Sequence, residues 1–592
     1  MADKVTLKGH GHLRLDTFLG GICNLLDRKI IVWAVLLLCI GIIALRYTIT
    51  LIDTDLWWQM RYGEYIFKNL TLKVDHSVFS WTTADPKWVY NAPLAQLWFY
   101  MMWRLNGYMM IHMTMYLIIL AVVVLMVYYN LAFNKRLSFF SILAILFVFI
   151  SSHLSIVMIR PEIFSFLFLS ITFYIYFYVK KTHRDILFIY PILMLIWANT
   201  HGVFIFGLLF LTLILIGESL NYALIKKGAM QMPLLKRLAM VTLLSYLAVC
   251  INPYGVDLIL SIVKTSIDTH FTKQFDQLLA YRSLFSFEHP AKYIMVISAL
   301  IYFFIALYTA ITRRYIDLAG VLVNVVFLYW SFKFGRSVYF YPPLWFFSVF
   351  YLLSMLEEMP KEESALRQIW RCCLPFIVIV FSAWIVYWTV RYPYAYSHIG
   401  FGPGENMPVK VVEFLKTLKF DEPIYNSYDV GGYLMWALPN HRVFIDPRHG
   451  PYAKKLMDET YQFEKGLNFH DFTKKYPFKI AIIHTYLTSL FERFYGHPDW
   501  RLLYFDQAAS VFVHSSVTVP KDIQVDLSVE RFKDMRSYEA LVYPMFVYSH
   551  MGDFDSARYL IKRLKERYDY DPYKRNLKNV EFLLLEFQKR AK

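Results

Sequence analysis

Long runs of apolar side chains dominate the chain and leave few folds open to it. They cover about eleven stretches: 30–45, 108–131, 137–150, 163–179, 186–198, 203–216, 238–251, 293–311, 318–332, 338–356 and 374–387. In hydrocarbon a backbone must satisfy its own hydrogen bonds, and uninterrupted apolar runs do so as helices. Several runs fall short of the ~20 residues of a straight span. They extend into flanking residues or sit inside a bundle. With 57% hydrophobic and only 18% charged residues, the composition excludes an ordinary soluble protein.

The net charge of +16 raises the question of nucleic acid, but its placement excludes that partner. Basic residues collect in alternate loops: Lys135/Arg136, Lys180/Lys181/Arg184, Lys226/Lys227/Lys236/Arg237, Arg313/Arg314 and Lys361/Arg367/Arg371. By the positive-inside rule this side is cytoplasmic, with the N-terminus. Segments 46–107 and 252–292, and everything after Arg391, are then exoplasmic. Residues 1–29 are too long and polar for a secretory leader, and no small-residue cleavage site follows, so the first run is a retained anchor. The five cysteines are Cys23, Cys39, Cys250, Cys372 and Cys373. None lies beyond Arg391, so no disulfide framework is expected there. Cys372-Cys373 reads as inert packing or a palmitoylation site.

The expected organisation is a cytoplasmic segment 1–29, a transmembrane domain 30–391, a soluble exoplasmic α/β domain 392–534 and a helical end 535–592. Within the soluble part, 396–405 reads as a linker and 408–418 as an amphipathic helix. Segments 423–425, 442–445, 479–484, 501–505 and 510–514 read as strands, the last two forming a hairpin. The end of the chain resembles one tetratricopeptide-type helix–turn–helix, with Gly552 and Pro572 as punctuation. It reads as a helical cap or as a docking surface for a protein partner.

Chemistry concentrates in Asp53-Thr54-Asp55-Leu56-Trp57-Trp58. In an extended segment Asp53 and Asp55 point to one side. Together they can hold a divalent cation such as Mg or Mn. Alternatively, one can take the proton of an attacking hydroxyl. A solvated loop with Trp57 and Trp58 in the aromatic belt is the structural alternative. Arg160, Arg282 and Arg336 fall on the same expected side, with Tyr339 close by, and suit a phosphate leaving group or lipid headgroups. Asn199 and His201 can bind a sugar or phosphate, or bond between helices. Asn252-Pro253-Tyr254-Gly255 reads as a turn. So does Gly431-Gly432, and Asp446 with Arg448 reads as a structural ion pair or as part of an acceptor-facing surface. No Walker A, HExxH or paired CxxC motif occurs, so nothing points to nucleotide hydrolysis or zinc-protease chemistry.

Taken together, these strings resemble the GT-C superfamily of membrane glycosyltransferases. The pattern Asp53-X-Asp55-Leu56-Trp57-Trp58, then Gly63-Glu64, Asp75-His76-Ser77-Val78-Phe79-Ser80 and Trp88, is similar to a bacterial branch of it. Arg160-Pro161, Asn199-X-His201-Gly202, Asn252-Pro253-Tyr254-Gly255, Gly431-Gly432-Tyr433-Leu434 and Phe444-Ile445-Asp446-Pro447-Arg448 extend the likeness over nearly the whole chain. The resemblance implies about eleven transmembrane helices, residence in a bacterial inner membrane, and transfer of a sugar from a polyprenyl-phosphate carrier to a glycan, lipid or protein acceptor. It implies Asp55 or Asp53 as the base, and Arg160, His201, Arg336 and Arg282 around the donor phosphate. Trp57, Trp58, Gln59, Glu64, Asn199 and Tyr339 stand as substrate contacts. In that branch a His follows the Trp pair; here Gln59 replaces it, and the role of that His is not carried over. A Trp-Trp-Asp string is missing from the soluble part, so recognition of a peptide sequon is not implied. A glycan polymerase or ligase, a transporter and a non-catalytic scaffold are the competing classes.

Overall fold

The computed structural model describes residues 29–590, apart from 83, 91, 135–136, 268–281, 287–290, 358–397, 419, 449, 520–522 and 569–572. Among the described residues the chain runs through α1 (Lys29–Arg46), α2 (Asp55–Asn69), α3 (Pro93–Asn134), α4 (Phe139–Ile156), α5 (Glu162–Thr182), α6 (Ile189–Ala198), α7 (Phe204–Leu220), α8 (Met232–Ala248), α9 (Val256–Ile267), α10 (Ala291–Arg313), α11 (Leu318–Lys333) and α12 (Tyr341–Glu357). Next come α13 (Val409–Thr417), β1 (Ile424–Asn426), α14 (Tyr428–Ala437), α15 (Lys454–Glu464), α16 (Phe469–Lys475), β2 (Ile480–His484), α17 (Thr488–Tyr495), β3 (Trp500–Phe505) and β4 (Ala509–His514). The last helices are α18 (Tyr538–His550), α19 (Phe554–Tyr568) and α20 (Tyr573–Arg590).

Ten of the eleven apolar runs coincide with helix, and the eleventh, 374–387, lies outside the described residues. So do Lys135/Arg136, Lys361/Arg367/Arg371, Cys23, Cys372/Cys373 and Pro572. Six of the described helices are long and apolar enough to cross a bilayer, α1, α3 and α5 among them. Others are apolar but short: α6 has 10 residues. At 1.5 Å per residue such a helix covers roughly half of a ~30 Å hydrocarbon layer. The expected loop 252–292 opens with a helix, α9, after a turn in which the Asn252 amide donates to the carbonyls of Val249 and Gly255.

The chain divides into two compact units. The first comprises Met1–Tyr47, Thr114–Val157 and Glu162–Tyr392. The three side chains of a buried ion cluster set its helices against one another. Lys180 on α5 donates from Nζ to Asp317 Oδ1 at 2.6 Å and to the Tyr176 hydroxyl at 3.0 Å, and it pairs with Glu218 on α7. Asp317 also caps α11 by accepting from the Gly320 N–H at 3.0 Å. One cation thus holds the ends of three helices, in a place where an unpaired charge would be very costly. Nearby, α7 and α11 touch where a Cβ on Gly217 would lie 2.4 Å from Ala319 Cα.

The second unit comprises Thr48–Met113, Met158–Pro161 and Pro393–Lys592. Its sheet has the order β1-β2-β4-β3, with β1 parallel to β2 and the other pairs antiparallel. The β3–β4 hairpin turns at 506–508, where Asp506 Oδ1 accepts from the N–H groups of Ala508 and Ala509. Segment 442–445 is not a strand of this sheet. Asn426 takes its backbone instead, donating to the Ile445 carbonyl at 2.6 Å and accepting from the Phe444 N–H at 2.7 Å, while Val443 pairs with residues 79–81. The core below the sheet is aromatic, with Phe463 and Phe472 stacked at 4.0 Å, and α18 to α20 close it through contacts such as Phe505 with Tyr548.

The Lys180 cluster yields a test. Lys180→Met leaves two carboxylates buried without their cation and is expected to destabilise the protein by about 3–5 kcal/mol. Adding Glu218→Gln and Asp317→Asn is expected to restore much of that. Thermal unfolding in detergent checks both, and a neutral Lys180→Met would show that the cluster does not hold the helices.

Candidate active site around two aspartates and an arginine

Residues 48–52 leave α1 in extended conformation, and Asp53 then turns the chain into α2. Asp53 Oδ1 accepts from the Asp55 N–H at 2.7 Å, satisfying a backbone donor that a helix start leaves unpaired. Asp55 is the first residue of α2, so the two carboxylates belong to a helix start and not to the extended segment expected from their spacing. They still converge, because Arg160 joins them. Its Nε donates to Asp53 Oδ2, and its Nη1 lies 3.4 Å from Asp55 Oδ2.

The two aspartates are not equivalent. Asp53 is 4% exposed, whereas the Asp55 side chain is 29% exposed. Burial pushes the Asp53 carboxyl above its ordinary range; the Arg160 guanidinium pulls it down and the Asp55 charge pushes it up. The Asp55 oxygens are held loosely, at 3.4 Å from Arg160 and 3.3 Å from the Trp58 indole N–H. Geometry therefore makes Asp53 the anchor of Arg160 and leaves Asp55 open to a ligand.

A Mg or Mn ion at this pair would have to bind through Asp55, because Asp53 is committed to Arg160 and the Asp55 N–H. Each of the four carboxylate oxygens faces a protein donor: the Asp55 N–H, Arg160 twice and the Trp58 indole. Among the described residues no group of three or more His, Cys, Asp or Glu side chains could hold a metal.

The aromatic pair is core, not belt. Trp57 and Trp58 are both buried; Trp57 donates to Met407 Sδ at 2.9 Å and meets Tyr433 edge-on at 4.7 Å. Gln59 is buried and donates to the Tyr90 hydroxyl at 2.8 Å. Glu64 sits between Arg61 and Lys68; partial burial opposes its ionisation, but the two cations hold its carboxyl below the usual range.

Other expected site residues lie in the first unit. Arg336 pairs with Glu162 at the start of α5. His201 Nδ1 is 2.8 Å from Ser165 Oγ, which also accepts from the Trp197 indole. Asn199 ties α6 to the chain after α8 by donating to the carbonyls of Leu195 and Ile251 at 2.9 and 2.8 Å. Tyr339 is buried among aromatic rings, and the Arg282 carbonyl accepts from the Gly335 N–H, which puts Arg282 beside the Arg336 turn.

Asp446 and Arg448 are fully buried and form no acceptor-facing surface. Arg448 makes a bidentate pair with Asp446 and donates to the Tyr62 hydroxyl at 2.8 Å and the His76 carbonyl at 2.7 Å. It fastens α2 and the stretch after it to the segment that follows Asp446. Burial, with the Arg448 charge, lowers the His76 pKa to about 4, so this imidazole is neutral at pH 7.

Tyr428 belongs to the polar string 426–433 of the soluble part. It opens α14, its hydroxyl donates to the Pro447 carbonyl, and burial followed by the charges of Asp55, Asp429 and Asp446 pushes its phenol upward. It is therefore a neighbour of Asp55. The sequence signal was the Tyr-Asp-X-Gly-Gly string. Its glycines lie inside α14 and form no turn: a Cβ on Gly432 would stand 2.4 Å from the Thr54 carbonyl oxygen.

The sequence matches no family model and no curated protein. Among solved structures, it is similar to the oligosaccharyltransferase AglB from Archaeoglobus fulgidus in complex with an inhibitory peptide and a dolichol-phosphate. That likeness has a TM-score of 0.54 and 12% identity, over 83% of this chain and 75% of that one. An oligosaccharyltransferase structure from the same organism with zinc and sulfate aligns at TM-score 0.51 and 12% identity, over 77% and 68%. ArnT from Cupriavidus metallidurans bound to undecaprenyl phosphate aligns at TM-score 0.46 and 12% identity, over 83% and 99%. The oligosaccharyltransferase alignments show a shared fold.

Gly432 tests the seat of the site. Alanine in a helix interior is normally favoured over glycine by about 1 kcal/mol. Here Gly432→Ala is expected to destabilise by about 1–3 kcal/mol instead, because the methyl meets backbone that cannot rotate away. Thermal unfolding of the purified protein decides it; a gain in stability would mean that α14 does not press on Thr54.

Proposed function

We propose that the chain is an integral-membrane glycosyltransferase that moves a sugar from a polyprenyl-phosphate carrier to an acceptor hydroxyl on the exoplasmic side of a bacterial inner membrane, with Asp55 as general base. One observation carries this reading: a half-open carboxylate whose neighbouring carboxylate is buried and committed to an arginine. The fold shared with AglB, whose complex includes a dolichol-phosphate, agrees with a lipid-phosphate donor.

In the proposed reaction Asp55 accepts the proton of the acceptor hydroxyl as its oxygen attacks the anomeric carbon. The bond from that carbon to the phosphate oxygen breaks, and its electron pair leaves on the phosphate. A single displacement inverts the anomeric centre. Arg160, anchored by Asp53, stands beside Asp55 and fixes the side from which the hydroxyl can approach it. Arg336, Arg282 and His201, in the first unit, stand as candidates for binding a phosphate because guanidinium and imidazole groups match its charge and geometry. Trp57, Gln59 and Glu64 are assigned support of α2, and Trp58 support of Asp55.

Asp55→Asn is expected to lower kcat by about 10²–10⁴-fold, the usual contribution of a general base, with the donor KM little changed. Turnover of a polyprenyl-phosphate sugar by the purified protein and the variant measures this. Full activity in Asp55→Asn would remove Asp55 as the base and favour the polymerase or ligase chemistry that relies on Arg and His alone.

A further inference from the structure

β1 and β2 are parallel neighbours, so their carboxyl ends share one edge of the sheet, the edge where open α/β sheets bind ligands. From that edge β1 passes through Ser427 into α14, and β2 passes through Thr485 and Tyr486 towards α17. Ser427 Oγ ties the two ends by accepting from the His484 N–H at 2.8 Å. Three rings meet there. The His484 imidazole lies 4.4 Å from the Tyr486 ring and 5.9 Å from Tyr543 of α18, and the two tyrosines are 6.0 Å apart. Tyr486 is 37% exposed, and Tyr543 and Asp429 are partly so. The Tyr486 hydroxyl donates to Asp429 Oδ2 at 2.6 Å, and Glu464, the last residue of α15, accepts from the Tyr428 N–H at 2.9 Å.

An unspent donor in this corner points to a ligand. His484 is only 7% exposed, and its Nδ1 accepts from the Tyr486 N–H at 3.2 Å. Burial lowers its pKa to about 4 against the pull of Asp429, so the ring is neutral at pH 7 and its proton sits on Nε2. No described residue accepts from that Nε2, and a buried donor left without an acceptor is costly. The charges that act here are carboxylates. Asp55, Asp429 and Asp446 act on the Tyr428 phenol, and Asp429 and Glu464 on that of Tyr486. They repel a phosphate or an acidic sugar.

We infer that this edge binds an uncharged sugar unit of the acceptor, remote from the hydroxyl that reacts at Asp55, and that the acceptor is therefore a glycan chain. The inference rests on the transferase reading above. A pyranose offers a C–H face that an aromatic ring covers and a rim of hydroxyls that both donate and accept. Tyr486 and Tyr543 supply the aromatic faces, His484 Nε2 a donor and Asp429 an acceptor. Tyr428 joins this edge to the base: it is adjacent to Asp429, and of the charges that act on its phenol Asp55 is the strongest.

Saturation-transfer NMR on the full-length protein, held in nanodiscs free of sugar-based detergent, tests the inference. The probes are cellotetraose and chitotetraose, both uncharged, and tetragalacturonate, which is acidic. Transfer is expected to at least one uncharged probe and not to tetragalacturonate. Tyr486→Ala and Asp429→Asn, both at partly exposed positions, are each expected to weaken binding several-fold with the thermal midpoint unchanged. Asp55→Asn is expected to bind as the unaltered protein does, so this result stands apart from the test of the base. No transfer to either uncharged probe, equal transfer to tetragalacturonate, or undiminished binding in both Tyr486→Ala and Asp429→Asn would each overturn the inference.

Discussion

The ion pair between Arg160 and Asp53 is the constraint on which the second unit's chemistry depends. The partners are 107 positions apart in sequence. Pro161 disfavours helical geometry at Arg160 and separates α4 from α5, so the arginine stands on a short non-helical joint. That joint, Met158–Pro161, groups with the second unit although the helices on either side belong to the first. A buried carboxylate costs several kcal/mol unless it is paired and hydrogen-bonded. Asp53 meets the requirement with Arg160 and the Asp55 N–H, and in doing so fixes the start of α2. The orientation of Asp55 follows from that start.

The rest of unit two can be understood as support for the same helix. Gly432 lets α14 approach the Thr54 carbonyl, Trp57 fills the space beside Met407 and Tyr433, and Arg448 ties α2 and the residues after it to the segment around Asp446. These contacts are buried and mutually exclusive of water. They explain why a segment between apolar helices is dense in aromatic and acidic residues without being a binding loop throughout. The ion cluster at Lys180 plays a comparable part in the first unit, where one cation serves two carboxylates from different helices.

Apolar runs made the helical architecture legible, and the Asp53–Asp55 and Arg160 strings pointed to the residues that the structure joins. Three things were not legible. The helix start at Asp55 was hidden because Asp-X-Asp spacing satisfies an extended strand as well as a capped turn. The burial of Trp57, Trp58 and Gln59 depends on partners such as Tyr90, Met407 and Tyr433, which no local pattern reveals. Segment 442–445 is a short apolar run like a buried strand, yet the Asn426 side chain captures its backbone, a competition that only tertiary structure decides.

The central claim is that Asp53 acts through Arg160 and not on substrate. A double-mutant cycle of Asp53→Asn and Arg160→Gln, read as kcat/KM for a polyprenyl-phosphate sugar, tests it directly. If the two form one device, each single variant loses activity and the double variant is no worse than the more damaged single. Losses that multiply in the double variant would mean that the two residues contribute independently, and the account of Asp53 as the anchor of Arg160 would be wrong.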